Sequence, residues 1–258
     1  MIIRLGFLIA VLSALLAPWP FAAPSASAAT QWIGVGASHK MRAYLATPDG
    51  PGPFPAVLVL HISGGMQSAD REFADRLAGA GYVALAPAFL EAYAISPQQR
   101  RLAFTADAQP LFDDFVAALE TLRHTPKVDG AHLAALGFSN GGYFALWLAA
   151  KGKVRAGIAY YGNLTGAGTD KPMQRFQEAF SRASSPVLVL HGDADTTAPV
   201  GTAYRLIEIL RTAKAPYEAK IFPGAGHRFE RDRTSAADRA AAEEAWPLTL
   251  AFLRRYLG

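Results

Sequence analysis

The chain has 258 residues, no cysteine, 51% hydrophobic residues and a formal net charge of +4. Without cysteine there are no disulfides, no thiolate metal sites and no cysteine nucleophile, so the folded product relies on its core. The charge is mild, and no Lys/Arg run exceeds a pair among interspersed acids, which argues against a nucleic-acid partner.

The chain opens with Arg4, then thirteen uncharged residues from Leu5 to Ala17, then Pro18, Pro20 and the small stretch Ala26-Ser27-Ala28. A positive start, a short apolar core and an A-x-A end mark a cleaved secretory signal. A membrane span needs about 20 apolar residues, and prolines interrupt this run first. Residues 1–28 are therefore expected to be removed, leaving 29–258 as one α/β domain. The expected product is exported, periplasmic or secreted, without stable membrane association, and a monomer or small homo-oligomer.

After the signal, "MRAYLATP" (41–48) and "PAVLVLH" (55–61) read as strands. The second is a continuous apolar run suited to burial on both sheet faces. The Pro/Gly-rich "PDGPGPFP" (48–55) between them reads as a hairpin-type connection. A helix is expected over 69–82, ending at Gly79 and Gly81, followed by a strand at 82–87. "LFDDFVAALETLRH" (111–124) has Phe112, Phe115, Leu119 and Leu122 near one face of a helix. "AHLAALGF" (131–138) is a strand and "GGYFALWLAAKG" a helix. Strands follow at 154–162, 185–193 and 217–224, with helices at about 171–182, 199–213 and 235–257. This alternation predicts an α/β fold: a mostly parallel sheet covered on both faces. Two long connections, about 88–108 and 163–184, lack strand pattern and are candidates for pocket walls or lids.

At the end of the 131–138 strand stands "GFSNGG", Gly137 to Gly142. Glycine-flanked serine is common in turns. Placed between a strand and a helix, however, it matches the tight turn that exposes a nucleophilic serine beside a helix N-terminus. Such a serine needs a base, and the base an orienting acid. "HGDADTTAPV" and "GAGHRFE" each follow a later strand, so Ser139, the acids at 193 and 195, and His227 can converge on one sheet edge. The chain order Ser, Asp, His is that of α/β-hydrolases. One oxyanion-hole donor is expected to be the N–H of Asn140, the other that of Ile62 or Ser63 in "HISGG". His61 and His191 end buried strands at the same edge and are expected to hold loops. His39, His124 and His132 look like surface residues. No histidine pair has metal-ligand spacing, so no metal and no cofactor is expected. Asn163-Leu164-Thr165 is a glycosylation sequon.

Together, "VDGAHLAALGFSNGG", "YYG" (160–162), "HGDADTTAP" and "AGHRF" resemble the dienelactone hydrolase family of the α/β-hydrolases, over nearly the whole chain after the signal. The resemblance implies a sheet of about eight strands, with Ser139 as nucleophile, His227 as base and Asp195, preceding "TTAP", as acid. Asp193 is then a turn acid. It further implies a small ester or lactone substrate, Tyr161 as a pocket tyrosine, and Arg231 as a candidate contact for a substrate carboxylate; His61, at the sheet edge, is a further candidate substrate contact. Three departures stand out: the family's elbow cysteine is Ser139, the acidic residue after the third strand is absent from "LHISGG", and "APDLY" reads "APAFL". The serine points to a general carboxylesterase more than to a dienelactone specialist.

Overall fold

The computed structural model describes residues 28–165 and 168–258, so the expected signal segment lies outside the described residues but for Ala28. Eight strands form one sheet: β1 (Ala29–Val35), β2 (Met41–Thr47), β3 (Phe54–Leu60), β4 (Val83–Pro87), β5 (Val128–Phe138), β6 (Ala156–Tyr160), β7 (Val187–Gly192) and β8 (Tyr217–Phe222). Their order is β1-β2-β4-β3-β5-β6-β7-β8. From β4 to β8 every pairing is parallel, whereas β1–β2 and β2–β4 are antiparallel. The strands that read as apolar runs are the buried ones: β4, β6 and β7 are buried throughout.

The helices are α1 (Ser68–Gly79), α2 (Phe89–Ala92), α3 (Ala108–Arg123), α4 (Asn140–Ala150), α5 (Lys171–Ala179), α6 (Gly201–Ala213), α7 (Phe229–Asp232) and α8 (Ala236–Leu257). A 3₁₀ turn over Pro97–Phe104 completes the 88–108 connection. Two apolar clusters line the sheet. One joins it to α3, α4 and α6, the other to α1 and α8. All eleven residues of α4 are buried, as expected of a helix apolar all round. No helix among the described residues is long and apolar enough to cross a membrane, and no three potential metal-ligating side chains cluster among them.

Two expectations need correction. The 48–53 connection is not a hairpin: β2 pairs with β4, and β3 lies beyond it between β4 and β5. A short Gly/Pro-rich link between two strand-like runs has the same local signature in both cases. Which strand fills the gap is decided only by α1, which returns the chain so that β4 pairs parallel to β3. The edge strand β1 was also not anticipated. Its first four residues are exposed and it pairs only with β2, so it lacks the buried run that marks a strand.

One buried carboxylate pins the approach to the sheet edge. Asp114 of α3 has no exposed surface. It accepts the N–H groups of Ala37, Ser38 and His39 at 2.7, 2.6 and 3.0 Å and the Tyr93 hydroxyl at 2.7 Å. The β1–β2 turn and the end of α2 are thereby fastened to one side chain. Burial pushes the Asp114 carboxyl up, but the Tyr93 hydroxyl and the three N–H donors outweigh it and hold it below the usual carboxylate range. A depressed folded-state value stabilises the fold above the unfolded-state value of about 3.9. That stability is lost as pH falls through the folded value. Asp114→Asn is expected to lower stability by about 1–3 kcal/mol near neutral pH. Urea midpoints of the two proteins should converge below about pH 4; a constant gap down to pH 2 would contradict this account.

Candidate active site

Ser139 follows β5 and precedes α4, with φ 50° and ψ −109°. A non-glycine residue with positive φ is strained, and such strain persists only where neighbours over-determine it. Here the Ser139 N–H donates to the Tyr160 carbonyl at 3.0 Å, the Ser139 carbonyl accepts from the Asn163 N–H at 2.9 Å, and the Gly141 N–H donates to the His61 carbonyl at 3.2 Å. The flanking glycines are needed for space. A Cβ on Gly137 would lie 2.1 Å from the Gly141 carbonyl, and one on Gly141 2.1 Å from the Leu60 carbonyl oxygen.

At the next strand ends the partners arrive. Asp195 follows β7, and its Oδ2 accepts the His227 Nδ1–H at 2.6 Å. The tautomer follows, because a carboxylate only accepts; Nε2 is then the free acceptor for the Ser139 hydroxyl, 3.2 Å away. Asp195 Oδ1 takes the N–H groups of Thr197 and Ala198 at 2.8 and 2.7 Å. Asp193 instead accepts the Gly224 N–H at 2.6 Å and holds the turn after β8.

His191 stands behind this chain, fully buried. Its Nε2–H donates to the Ala198 carbonyl at 2.7 Å and lies 3.5 Å from Asp195 Oδ2. Nδ1 is then a bare lone pair, and it has no partner. Burial holds this imidazole below its usual range, so it stays neutral while fixing the peptide that fixes Asp195.

His61 stacks on Phe89 at 3.9 Å. Its Nδ1–H donates to the Ile62 carbonyl at 2.7 Å, and its Nε2 accepts the Phe89 N–H at 3.2 Å. Both ring nitrogens are thus engaged inside the protein, leaving none for a substrate. Among the described residues the N–H groups of Asn140, Ile62 and Ser63 have no acceptor, as an oxyanion hole requires, and geometry leaves Ile62 and Ser63 both available as the second donor. Glu91 of α2 braces this loop by accepting the Met66 N–H at 2.7 Å.

Tyr161 is buried and packs its ring edge-on to His227, with centroids 4.7 Å apart. Its hydroxyl donates to Glu230, and burial, reinforced by that carboxylate, pushes it well above its usual range. Arg231 is buried too, its side chain only 5% exposed. It donates to Glu230 Oε1 at 2.7 Å and Asp70 Oδ1 at 3.1 Å, and lies over the Phe138 ring. Its guanidinium is therefore neutralised by two carboxylates of the protein itself. Burial opposes its charge, but Tyr161, Glu230 and Asp70 overcome that and raise it. Sequence reasoning did not find Glu230 or Asp70; both lie in charged stretches that look like solvated surface. Asn163 of the sequon is buried, its side-chain N–H₂ pointing to Asn140 Oδ1 at 3.4 Å.

A serine held on a strained strand-turn-helix elbow at the C-terminal edge of an eight-stranded, mostly parallel sheet defines an α/β-hydrolase. Within that class, residues 41–257 match the model of the dienelactone hydrolase family, and the chain belongs to this family. It is 32% identical to "Putative carboxymethylenebutenolidase" of Methylorubrum extorquens, over 83% of this chain and 76% of that protein. It is 30% identical to "Probable 2-oxo-3-(5-oxofuran-2-ylidene)propanoate lactonase" of a Bradyrhizobium species, over 89% and 95% of the two chains. The crystal structure of "Putative Dienelactone Hydrolase" from Klebsiella pneumoniae superposes with a TM-score of 0.73 at 26% identity, covering 88% of this chain and 100% of that one.

The elbow's packing can be tested without any substrate. Gly141→Ala drives a Cβ into the backbone of β3, and should cost more than about 3 kcal/mol or prevent folding. Gly201→Ala, at the open start of α6 with nothing within 4 Å, should be neutral or stabilising by up to about 1 kcal/mol. Comparable urea midpoints for the two variants would refute the close-approach account.

Proposed function

We propose that this protein is a serine hydrolase of carboxylic esters or lactones, acting through an acyl-enzyme without cofactor. The carrying observation is the unbroken chain Ser139 Oγ, His227 Nε2, His227 Nδ1, Asp195 Oδ2, at 3.2 and 2.6 Å, in a chain of this family. The names of the relatives, a carboxymethylenebutenolidase and a lactonase, support the ester or lactone bond as the one attacked.

His227 Nε2 takes the Ser139 proton as Oγ attacks the acyl carbon. The N–H groups of Asn140 and of Ile62 or Ser63 hold the oxyanion that forms. Asp195 fixes the imidazole and stabilises the imidazolium. Collapse of the tetrahedral species breaks the bond to the alkoxy oxygen, which leaves with the proton from His227. In a lactone that oxygen stays tethered to the acyl group. Water then gives a proton to His227 and attacks the acyl carbon, and His227 passes that proton to Ser139 Oγ as the bond from Oγ to the acyl carbon breaks and the acid leaves. Export to the periplasm or medium is part of the same proposal. It is supported by the signal-like pattern through Ala28 and by a sheet that begins at Ala29.

The test is fluorophosphonate labelling of the purified protein beside Ser139→Ala, followed by a chromogenic ester series. Labelling and turnover are expected in the wild type, with labelling abolished and kcat reduced by at least about 10⁴-fold in the variant. A folded wild type that neither labels nor turns over any ester or lactone would sink the proposal. The brace behind Asp195 predicts a smaller effect. His191→Phe removes one hydrogen bond from that chain and should lower kcat by about tenfold with KM little changed; full activity would show that Asp195 is held without it.

A further inference from the structure

The described residues contain a second cation-rich place on the same sheet edge. A cavity of about 440 Å³ is walled by Trp32, Lys40, Arg42, Met66, Arg71 and Glu91. The Arg42 guanidinium lies 3.9 Å from the centre of the Trp32 ring. None of Lys40, Arg42 and Arg71 forms an ion pair among the described residues. Glu91, the acid in the wall, is occupied by the Met66 N–H and faces His61 at 3.6 Å. Three cations against one engaged carboxylate leave a positive field within a concave, partly apolar space, a setting that concentrates anions.

Its position relates it to the proposed chemistry. Ala43 pairs with Pro87 at the C-terminal end of β4, and the Arg42 carbonyl accepts the Ala88 N–H at 2.9 Å. Lys40 and Arg42 therefore sit on the edge where Ser139 follows β5. Three strand steps separate β2 from β5, about 14 Å at the usual spacing. Met66 and Glu91 belong at once to the cavity wall and to the brace of the loop that carries Ile62. Arg231, by contrast, already carries two protein carboxylates.

From this juxtaposition we infer that the cavity is a remote subsite for an oxyanionic end group of the substrate, carboxylate or phosphate, set about 14 Å from the scissile carbonyl. The substrate class is then an ester whose far end is anionic and whose length spans from Ser139 to β2. This assignment rests on the hydrolase reading for its kinetic arm and is independent of it for its binding arm.

The kinetic arm compares esters of one acyl group whose alcohol parts end in a carboxylate, a phosphate or a neutral amide at that distance. Wild type should favour the anionic members roughly tenfold in kcat/KM, about 1.4 kcal/mol. The preference should act through KM and shrink as salt rises. In Lys40→Gln/Arg71→Gln it should fall to near parity, with the neutral ester unaffected. The carboxylate and phosphate members distinguish the two end groups. The binding arm measures, by calorimetry on Ser139→Ala, an amide analogue of each ester, resistant to hydrolysis. Binding of the anionic analogue that weakens about tenfold on adding the two substitutions supports the subsite, even where no ester is turned over and the hydrolase reading itself has failed. Equal KM values for charged and neutral esters in wild type, or a preference that survives in the double variant, would overturn it.

Discussion

The site depends on how closely two stretches of backbone approach beneath Ser139. The first turn of α4 lies against the end of β3 and the end of β5, so near that neither Gly137 nor Gly141 has space for a methyl group. That contact forces the positive φ of Ser139 and turns its side chain out of the sheet rather than into it. The strain is local, while the bonds that hold it come from elsewhere. They run from the carbonyls at the ends of β3 and β6 and from the Asn163 amide beyond β6. The elbow is thus set by three neighbouring segments at once. A rigidly held serine is the result, and in the proposed mechanism its hydroxyl needs little reordering before it reacts.

The groups around it are held by bonds within their own loops and by buried charged side chains. Asp195 is oriented by two N–H groups of its own loop, and that loop is held by a neutral histidine whose N–H reaches the Ala198 carbonyl. Ile62 sits in a loop tied down at Met66 by Glu91. The segment following His227 is tied to the start of α1 by Glu230, Arg231 and Asp70. These three residues form a buried ionic group whose worth is in holding geometry. Buried ion pairs contribute little net stability compared with apolar packing, but removing one partner strands a charge. Their arrangement ties α7 to α1 and, through the Tyr161 hydroxyl on Glu230, to the end of β6.

Much of this was legible in the sequence, and the parts that were not share a cause. Continuous apolar runs exposed β3 to β7 because burial on both faces leaves no choice of residue. The order of Ser139, Asp195 and His227 was legible because each follows a strand, and a parallel sheet collects its strand ends. The assignment of Asp195 over Asp193 came only from family resemblance; in the structure the two differ by which way a tight turn aims them. By contrast, β1 has one buried residue and pairs on one side only. The position of β4 between β2 and β3 is a long-range outcome. Residues such as Asp70 and Glu230 are invisible to local pattern, since charge normally signals solvent. They are buried because they meet Arg231, which comes from 161 residues away in the case of Asp70.

The same pairing bears on what this member of the family can recognise. An arginine near the base is suited to a substrate carboxylate only while its donors are free. Here Nε and Nη2 of Arg231 face carboxylates of the protein, and the guanidinium lies over Phe138. Nη1 alone has no partner and is buried, and a substrate anion reaching it would lie beside Asp70 and Glu230, two like charges that already neutralise the guanidinium. Anion recognition at short range from Ser139 is therefore disfavoured by the protein's own acids. Lys40, Arg42 and Arg71 form no ion pair among the described residues, so an anion beside them meets no carboxylate paired with the same cation. The distribution of paired and unpaired charge along the sheet edge thus favours a substrate neutral beside the reacting bond and charged, if at all, at its far end.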